Sequence, residues 1–254
     1  MRKIAILYIC TGKYVVFWKD FFTSYETNFL PKCQKEYFVF TDSQELYGED
    51  NCKRIHKVYQ QQLGWPYDTL MRYHMFSGIA DKLQEFEYVF FMNANCKCVS
   101  QITEEEFLPV SKDILVVQHP GAYNKKPSQF TYDRNPKSTA YIPKGKGQYY
   151  VCGGINGGKT QAYLELIEQL KRNISIDLDN HIIAKWHDES HINHYIYEND
   201  NWIMLSPEYC YAEGWKLPFE PKILVREKNN YFDTVEMKRG KIVARIKRLL
   251  RKRN

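Results

Sequence analysis

Short apolar runs alternate along the chain with longer segments in which apolar residues recur every three or four positions. Such short runs are typical of buried strands, and the longer periodic segments are typical of amphipathic helices. The predicted strands cover residues 4–10, 37–42, 54–58, 88–92, 114–119, 148–152 and 202–205. The predicted helices cover residues 14–30, 65–83, 160–171 and 192–197. Because strands and helices alternate, the pattern predicts an α/β fold with a mixed, mostly parallel sheet.

The predicted strand at residues 88–92 is followed by Asn93, Ala94 and Asn95. Its five consecutive apolar residues are typical of a central strand that is buried on both faces. Ligands of open α/β sheets bind at the carboxyl ends of the strands, where we expect the two asparagines to lie. An Asp-x-Asp triplet there would hold a divalent cation against a diphosphate, whereas asparagines offer hydrogen bonds without charge. The alternative is a simple turn, because asparagine tolerates the left-handed conformation.

The net charge of +6 is unevenly distributed. Nine Lys and Arg residues and no acid fall within residues 238–254, so residues 1–237 carry 27 bases against 30 acids. This negative balance argues against a nucleic-acid-binding domain. The apolar residues of the tail share one helical face, at Ile242, Val243, Ile246, Leu249 and Leu250. The pattern is typical of a basic amphipathic helix that binds an anionic membrane surface, and the alternative is a solvated charged tail.

The seven cysteines are odd in number and contain no C-x-x-C spacing. They predict free thiols in a reducing compartment. The chain begins M-R-K-I without a signal-peptide pattern, and its apolar runs are too short to span a membrane. We therefore expect a cytoplasmic protein, with residues 238–254 as the candidate for peripheral contact with the inner face of the cytoplasmic membrane.

Two adjacent carboxylates, Asp188 and Glu189, follow Trp186. Adjacent side chains point to different faces, so one carboxylate can hold a substrate while the other acts at an anomeric carbon. Trp186 offers an aromatic face on which a sugar can stack. The alternative is an ordinary helix N-terminus, where the helix dipole favours acids. Three histidines recur at helical spacing, at His187, His191 and His194, but without H-E-x-x-H they do not predict a zinc site.

Two irregular segments flank the predicted strand at residues 148–152. Residues 120–146 are rich in Pro, Gly, Asn and Lys and contain interleaved aromatics, which favours an ordered binding segment over disorder. Residues 153–158 contain four glycines, which either let the backbone approach a ligand closely or form a turn.

Several motifs together resemble glycosyltransferase family 6, which includes the histo-blood-group A and B transferases and the α-1,3-galactosyltransferases. They are F-T-Y-D-R at 130–134, A-Y-I-P at 140–143, W-H-D-E-S-H at 186–191 and L-S-P-E-Y at 205–209. The resemblance runs from residue 1 to about residue 230. It implies a GT-A fold in a single Rossmann-like catalytic domain at 1–237, with 238–254 as a separate tail. It also implies retaining transfer of Gal or GalNAc from a UDP sugar to a galactoside, with an α-1,3 linkage.

The resemblance assigns roles to individual residues. Glu189 matches the catalytic carboxylate. Positions that contact the donor are matched by Ile9, Cys10, Thr11, Tyr14, Arg72 and Asp188. Positions that contact the acceptor are matched by His119, Thr131 and Trp186. Cys152, Gly153 and Gly154 align with the segment that sets donor choice, and the Gly-Gly form resembles the A enzyme. Because the missing methyl groups leave room for a 2-acetamido group, UDP-GalNAc is the expected donor, with UDP-Gal as the alternative.

Three departures from the family pattern change what is expected. Asn93-Ala94-Asn95 stands where vertebrate members have Asp-x-Asp, a form that bacterial members share, so we expect a bacterial enzyme without a divalent metal or other cofactor. Lysines and arginines must then offset the charge of UDP, and the candidates are Arg72, Lys228, Lys97 and Lys13. Lys228 matches the C-terminal lysine of relatives, but Asp233 and Thr234 stand near the position of their arginine. Ala122 replaces a bulkier acceptor-side aromatic.

Two further points stay open at the level of sequence. Family analogy suggests a terminal galactose as acceptor, with the α-1,2-fucosylated form expected, which would give a blood-group-A-like product. The competing class of function is a carbohydrate-binding protein that has lost catalysis. Glu189 argues against that class, because a binding protein needs no carboxylate at the reacting carbon.

Overall fold

The structure is a computed structural model that describes residues 1–232. The predicted basic tail at 238–254 and the departure at Asp233 and Thr234 lie outside the described residues. The division into a domain at 1–237 and a tail therefore stays a prediction. All seven cysteines are free thiols, as the sequence predicts. Within residues 1–232, none of the helices has the length and apolar character needed to cross a membrane.

Ten strands and seven α-helices form within residues 1–232. The strands are β1 Lys3–Ile9, β2 Gln34–Thr41, β3 Ile55–Tyr59, β4 Tyr88–Met92, β5 Cys96–Cys98, β6 Ile114–Gln118, β7 Val151–Lys159, β8 Trp202–Leu205, β9 Tyr211–Ala212 and β10 Ile223–Val225. The α-helices are α1 Trp18–Asn28, α2 Tyr67–Leu70, α3 Arg72–Ser77, α4 Ala80–Leu83, α5 Glu104–Phe107, α6 Thr160–Asp179 and α7 Asp188–Glu198. Short 3-10 helices lie at Gly12–Phe17, Pro120–Ala122, Pro127–Gln129, Pro207–Cys210 and Lys228–Asn230.

The central sheet has seven strands in the order β3-β2-β1-β4-β7-β6-β8. All neighbouring pairs are parallel except those of β7, which runs antiparallel to both β4 and β6. A second sheet of three short strands has the order β5-β10-β9. The predicted mixed, mostly parallel α/β sheet of a single GT-A-like domain is confirmed.

Strand β4 lies at the centre of the sheet and is buried over its whole length. Because side chains alternate along a strand, Tyr88, Phe90 and Met92 join one half of the core, and Val89 and Phe91 join the other. The first half packs against α1 and the second against α3 and α6. Helices on both faces leave the carboxyl ends of β1 and β4 as an open edge.

Most predicted boundaries differ from the structure by no more than four residues, and three predicted segments differ more. The strand predicted at 148–152 begins at Val151 and continues to Lys159, because pairing with β4 on one side and β6 on the other holds the glycine-rich segment extended. The helix predicted at 65–83 is three short helices, because Met71 (φ −89°, ψ 8°) and Ile79 (φ −124°, ψ 15°) leave the helical region. Helix α6 continues beyond its predicted end at residue 171.

The long segment before β7 is ordered by buried carboxylates. Asp177 of α6 accepts hydrogen bonds from the Ser138 hydroxyl (2.6 Å) and the Thr139 amide (2.7 Å). Asp133 accepts one from the Lys185 amide (2.7 Å), which precedes α7. These bonds fix residues 133–139 against α6 and α7 and bring the neighbouring Thr131 close to the sheet edge.

Candidate active site

A cavity of about 360 Å³ lies at the carboxyl ends of β1 and β4. Its walls include eight of the predicted donor-binding residues, namely Ile9, Thr11, Tyr14, Arg72, Asn93, Ala94, Asn95 and Lys228. They also include residues that the sequence did not single out as donor-binding, namely Trp65, Asp68, Thr69, Phe91, His187, Glu227 and Asn229. The Lys228 ammonium lies 5.2 Å from the centre of the Tyr14 ring. We refer to this cavity as the donor cavity.

Cys10, which was predicted to contact the donor, does not line the donor cavity. Its side chain is fully buried in the half of the core that packs against α1. Burial raises the pKa of the Cys10 thiol to about 12, so the thiol stays neutral and packs as an apolar side chain. The strand period explains the difference, because Ile9 and Cys10 point to opposite faces.

The triplet after β4 is a braced loop. The Asn93 amide donates to the Gly154 carbonyl (2.8 Å), and the Ala94 carbonyl accepts a hydrogen bond from the Tyr8 hydroxyl (2.9 Å). Asn95 is buried, and its side-chain amide donates to the carbonyl of Arg226 (2.6 Å). Asn95 therefore holds the segment before Lys228 beside the donor cavity.

These residues do not fit a divalent cation in the manner of Asp-x-Asp. The triplet carries no carboxylate, and Asn95 commits its amide to Arg226. Within residues 1–232, no three His, Cys, Asp or Glu side chains converge on a point that could hold a metal ion. Hard cations such as Mg²⁺ are held by carboxylate and other oxygen ligands, which this loop supplies only as neutral amides.

Arg72 lines the donor cavity and is buried, with 4% of its surface exposed. One of its Nη atoms donates to the Gly153 carbonyl and lies 2.9 Å from Oδ2 of Asp188. Its guanidinium also lies over the Phe91 ring, 4.3 Å from the centre. The aromatic face, the carbonyl and the carboxylate together fix the arginine at the sheet edge.

The partner carboxylate is in an unusual environment. Burial raises the pKa of Asp188 to about 7, with Arg72 opposing the shift and Glu189 adding to it. Among the described residues, Oδ2 of Asp188 accepts no hydrogen bond with suitable angles, and Nε of Arg72 also has no partner. Buried polar atoms of this kind are rare in folded proteins, and a buried carboxylate with a raised pKa beside an arginine is typical of functional sites.

Glu189 has both carboxylate oxygens fixed. Tyr150 donates to Oε1 (2.9 Å), and the Gly153 amide donates to Oε2 (2.9 Å). The chain enters α7 through His187, which has a positive φ of 54°, so that Asp188 and Glu189 occupy the first turn. Asn193, one turn later, joins α7 to β7 by hydrogen bonds to both the amide and the carbonyl of Val151.

A second cavity of about 300 Å³, which we call the acceptor cavity, lies beside Glu189. Glu189 lines it together with all three predicted acceptor-contacting residues, namely His119, Thr131 and Trp186. Its other walls include Ala122, Lys125, Tyr150 and Trp215. The Trp186 side chain is half exposed, so its ring is available for stacking.

Gly153 and Gly154 lie where no Cβ fits. A Cβ at Gly153 would sit 2.9 Å from Oδ2 of Asp188 and 3.0 Å from Cβ of Glu189. A Cβ at Gly154 would sit 2.7 Å from Nδ2 of Asn93. The two glycines thus allow the β7 backbone to lie directly against the carboxylates and the asparagine loop.

Comparison with known proteins shows which family the chain belongs to. The profile of Glycosyltransferase family 6 matches residues 2–232. The chain belongs to glycosyltransferase family 6. It is accordingly a glycosyltransferase, and the paired cavities at the sheet edge are its candidate sites for a nucleotide-sugar donor and a glycan acceptor.

Individual relatives of this family 6 glycosyltransferase come from bacteria and vertebrates. An O-antigen biosynthesis glycosyltransferase, WbnI, of Escherichia coli is 36% identical over 225 residues, covering 89% of this chain and 94% of the relative. Histo-blood group ABO system transferase 1 of Rattus norvegicus is 30% identical, covering 84% of this chain and 62% of the relative. Globoside α-1,3-N-acetylgalactosaminyltransferase 1 of Gallus gallus is 28% identical, covering 87% and 65%. The chain thus spans less than two thirds of these two vertebrate relatives.

Some site residues of the glycosyltransferase escaped the sequence-based prediction. Tyr150 stands in an apolar run whose pattern matches any buried strand, so nothing marked it as the partner of Glu189. Trp215 follows Gly214 in a polar segment, where a single exposed aromatic residue carries no signal. Lys13 and Lys97, which were candidates to offset the donor's charge, do not line the donor cavity, whereas Arg72 and Lys228 do.

Proposed function

We propose that this enzyme is a retaining α-1,3-N-acetylgalactosaminyltransferase that moves GalNAc from UDP-GalNAc to a terminal galactose. The observation that carries the proposal is the position of Glu189. Its two oxygens are held by Tyr150 and Gly153, and it lines the acceptor cavity. It also follows Asp188, the buried partner of Arg72, and Arg72 lines the donor cavity. A carboxylate in this position faces the point at which donor and acceptor meet.

Arg72 and Lys228 are proposed to offset the negative charge of the UDP group. Both residues line the donor cavity. Arg72 is buried and held by three neighbours, so it loses little freedom when a diphosphate binds. With only amides in the triplet at 93–95, we propose that transfer proceeds without a divalent metal.

The preference for GalNAc over galactose rests on Gly153 and Gly154. Each position lacks the methyl group that would otherwise press on Asp188, Glu189 or Asn93. The Gly-Gly form at these positions resembles that of the blood-group A enzyme, which supports GalNAc as the transferred sugar. The name of the chicken relative, an α-1,3-N-acetylgalactosaminyltransferase, supports the same donor. UDP-Gal is the alternative donor.

Glu189 supports retention of configuration by either of two routes. In the first, its carboxylate attacks the anomeric carbon, UDP leaves, and the acceptor hydroxyl then displaces the carboxylate from the sugar. In the second, UDP leaves and the acceptor attacks from the same face, while Glu189 stabilises the positive charge on the sugar. In both routes, Tyr150 and Gly153 keep the carboxylate aligned with the reacting carbon.

The acceptor is proposed to be a terminal galactose, with α-1,2-linked fucose as the preferred neighbour. Trp186 provides a stacking surface, and His119 and Thr131 provide polar contacts in the acceptor cavity. The aromatic and polar walls suit a sugar with one apolar face and several hydroxyl groups. The product would then be blood-group-A-like.

A transfer assay with two donors and two acceptors tests these assignments. UDP-GalNAc and UDP-Gal are each offered with lactose and with 2′-fucosyllactose, in excess EDTA. We expect transfer of GalNAc to exceed that of galactose, 2′-fucosyllactose to be the better acceptor, and EDTA to leave the rate unchanged. A clear galactose preference refutes the donor, and EDTA sensitivity refutes metal independence. Binding of glycan without any transfer would favour the carbohydrate-binding alternative.

The basic segment at 238–254 is proposed to attach the enzyme peripherally to the inner, anionic face of the cytoplasmic membrane. The proposal rests on its nine bases, its absence of acids and its apolar face. Co-sedimentation with anionic vesicles should be lost when residues 238–254 are deleted, while transfer to a free oligosaccharide persists. Equal sedimentation of the full chain and the truncated chain would contradict this role.

A further inference from the structure

Strand β7 bulges where it passes the site. Opposite β6, Asn156 pairs with Val116, but the next pair is Val151 with Gln118. Two steps along β6 therefore correspond to five along β7, and residues 152–155 leave the regular ladder with β6. Bulges of this kind re-aim backbone groups, and here the bulge carries Gly153 to the carboxylate pair of α7.

The peptide groups of Gly153 connect the two halves of the site. Its amide donates to Oε2 of Glu189 (2.9 Å), and its carbonyl accepts a hydrogen bond from Arg72. The same carbonyl accepts a second hydrogen bond from Nδ2 of Asn156 (3.1 Å). The orientation of this short stretch of backbone therefore sets both the carboxylate and the arginine.

Asn156 is the polar residue behind this arrangement. It is fully buried at the centre of the sheet, level with Phe91 of β4 and Val116 of β6. Its Oδ1 accepts a hydrogen bond from the hydroxyl of Tyr163 (2.7 Å), which lies on α6 and is also fully buried. A chain of hydrogen bonds thus runs from α6 through the Asn156 amide to the Gly153 carbonyl.

An amide at such a position has a cost that an apolar residue avoids. Burying it is unfavourable unless its hydrogen bonds are made, and its neighbours on the sheet are apolar. The Asn156 amide is therefore better explained by its hydrogen bond to the Gly153 carbonyl than by a contribution to core stability. It fills the second acceptor position of the Gly153 carbonyl, opposite Arg72.

We propose that Asn156 is a positioning residue that fixes the β7 bulge and, through Gly153, aligns Glu189 with the Arg72–Asp188 pair. The proposal rests on the function proposed above, since alignment is measured as sugar transfer. It assigns Asn156 no contact with either substrate. Its loss should lower the rate of transfer more than it weakens the binding of UDP. Arg72 keeps its contacts with Asp188 and Phe91 when Asn156 is replaced, so it can still offset the charge of UDP.

The test compares Asn156→Asp with Tyr163→Phe in the full-length enzyme. The ionised aspartate keeps the shape and the acceptor for Tyr163 but cannot donate to the Gly153 carbonyl, so kcat is measured at high pH, which favours the carboxylate over the protonated form that still donates. The phenylalanine removes only the outer hydrogen bond and leaves the Asn156–Gly153 bond in place. We expect kcat to fall about tenfold or more in Asn156→Asp and only a few-fold in Tyr163→Phe, with the Kd of UDP within about threefold of wild type in both.

Three outcomes overturn the inference, and one concerns the proposed function instead. Wild-type kcat in a folded Asn156→Asp variant overturns it, as does a loss of UDP binding in proportion to kcat. Asn156→Ser, which removes the amide without adding a charge, replaces the aspartate if that variant does not fold, and a wild-type kcat there overturns the inference equally. If the wild-type enzyme transfers no sugar from a UDP donor, the proposed function fails.

Discussion

The hydroxyl of Tyr150 donates a 2.9 Å hydrogen bond to Oε1 of Glu189. Burial first, and the neighbouring Glu189 charge second, hold the pKa of Tyr150 well above its usual range, so the phenol stays protonated and remains a donor. Thr131 donates in turn to the Tyr150 oxygen (3.2 Å). The carboxylate is thus oriented by a side chain that also forms a wall of the acceptor cavity.

Tyr150→Phe should therefore lower kcat by roughly ten- to hundredfold, the effect of one lost hydrogen bond to a charged group. Steady-state kinetics with UDP-GalNAc as donor measure the change. Tyr149→Phe is the matched control, because Tyr149 is the adjacent residue and its ring packs against Trp202, outside both cavities. Equal kinetics in the two variants would show that Tyr150 does not orient Glu189.

Arg72→Gln should weaken UDP-GalNAc binding by about a hundredfold and lower the melting temperature at pH 8. The substitution removes the cation that faces the donor and leaves the Asp188 carboxylate buried without a partner. Calorimetric titration and thermal unfolding measure the two effects. Arg172→Gln, at an exposed position of α6, is the control and should change neither. Donor affinity that survives in Arg72→Gln would exclude Arg72 from the donor site.

The raised pKa of Asp188, about 7, has a defined effect on stability. The folded carboxyl binds its proton more tightly than the unfolded one, so the native state holds more protons between the two pKa values. The stabilisation that this tighter proton binding gives is fully present below the unfolded pKa of 3.8 and is lost as the pH rises through the folded pKa of about 7. The free energy of unfolding should thus fall between about pH 4 and about pH 7 more steeply in the wild type than in Asp188→Asn. Parallel pH profiles of the two proteins would contradict the raised pKa.

Gly154→Ala should shift donor choice toward galactose. The added methyl group would meet the Asn93 side chain at 2.7 Å and push it into the donor cavity. One methyl group changes discrimination between substrates by about 10- to 200-fold, so the ratio of kcat/KM for UDP-GalNAc over UDP-Gal should fall by at least about tenfold. Competition between the two donors measures the ratio directly. An unchanged ratio would remove Gly154 from the specificity determinants.

The pattern of apolar residues predicted the sheet better than its edges. Strand β4 was predicted with its observed bounds because five apolar residues leave no other place for it than the centre. The short strands β5, β9 and β10 were missed, since two or three residues carry no period. Strand β7 was predicted only at its start, because glycine has a low strand propensity and pairing on both sides decided its conformation.

The sequence predicted only those residues of the candidate site that a local pattern marks. Residues at strand ends, such as Asn93, and residues in specific motifs, such as Glu189, are visible in sequence. Residues that act by orienting another group are not, because the local pattern does not show which group they contact. The β7 bulge brings Asn156 to Gly153, and the packing of β7 against α7 brings Tyr150 to Glu189.

Replacement of Glu189 by Gln is the most direct test of the proposed mechanism. Product formation from UDP-GalNAc and the Kd of the donor are measured for the wild type, for Glu189→Gln and for Glu198→Gln, an exposed position on the same helix. The mechanism predicts that Glu189→Gln loses transfer by about a thousandfold or more while donor binding stays within a few-fold, and that Glu198→Gln behaves as the wild type. Near-normal turnover in Glu189→Gln would contradict it.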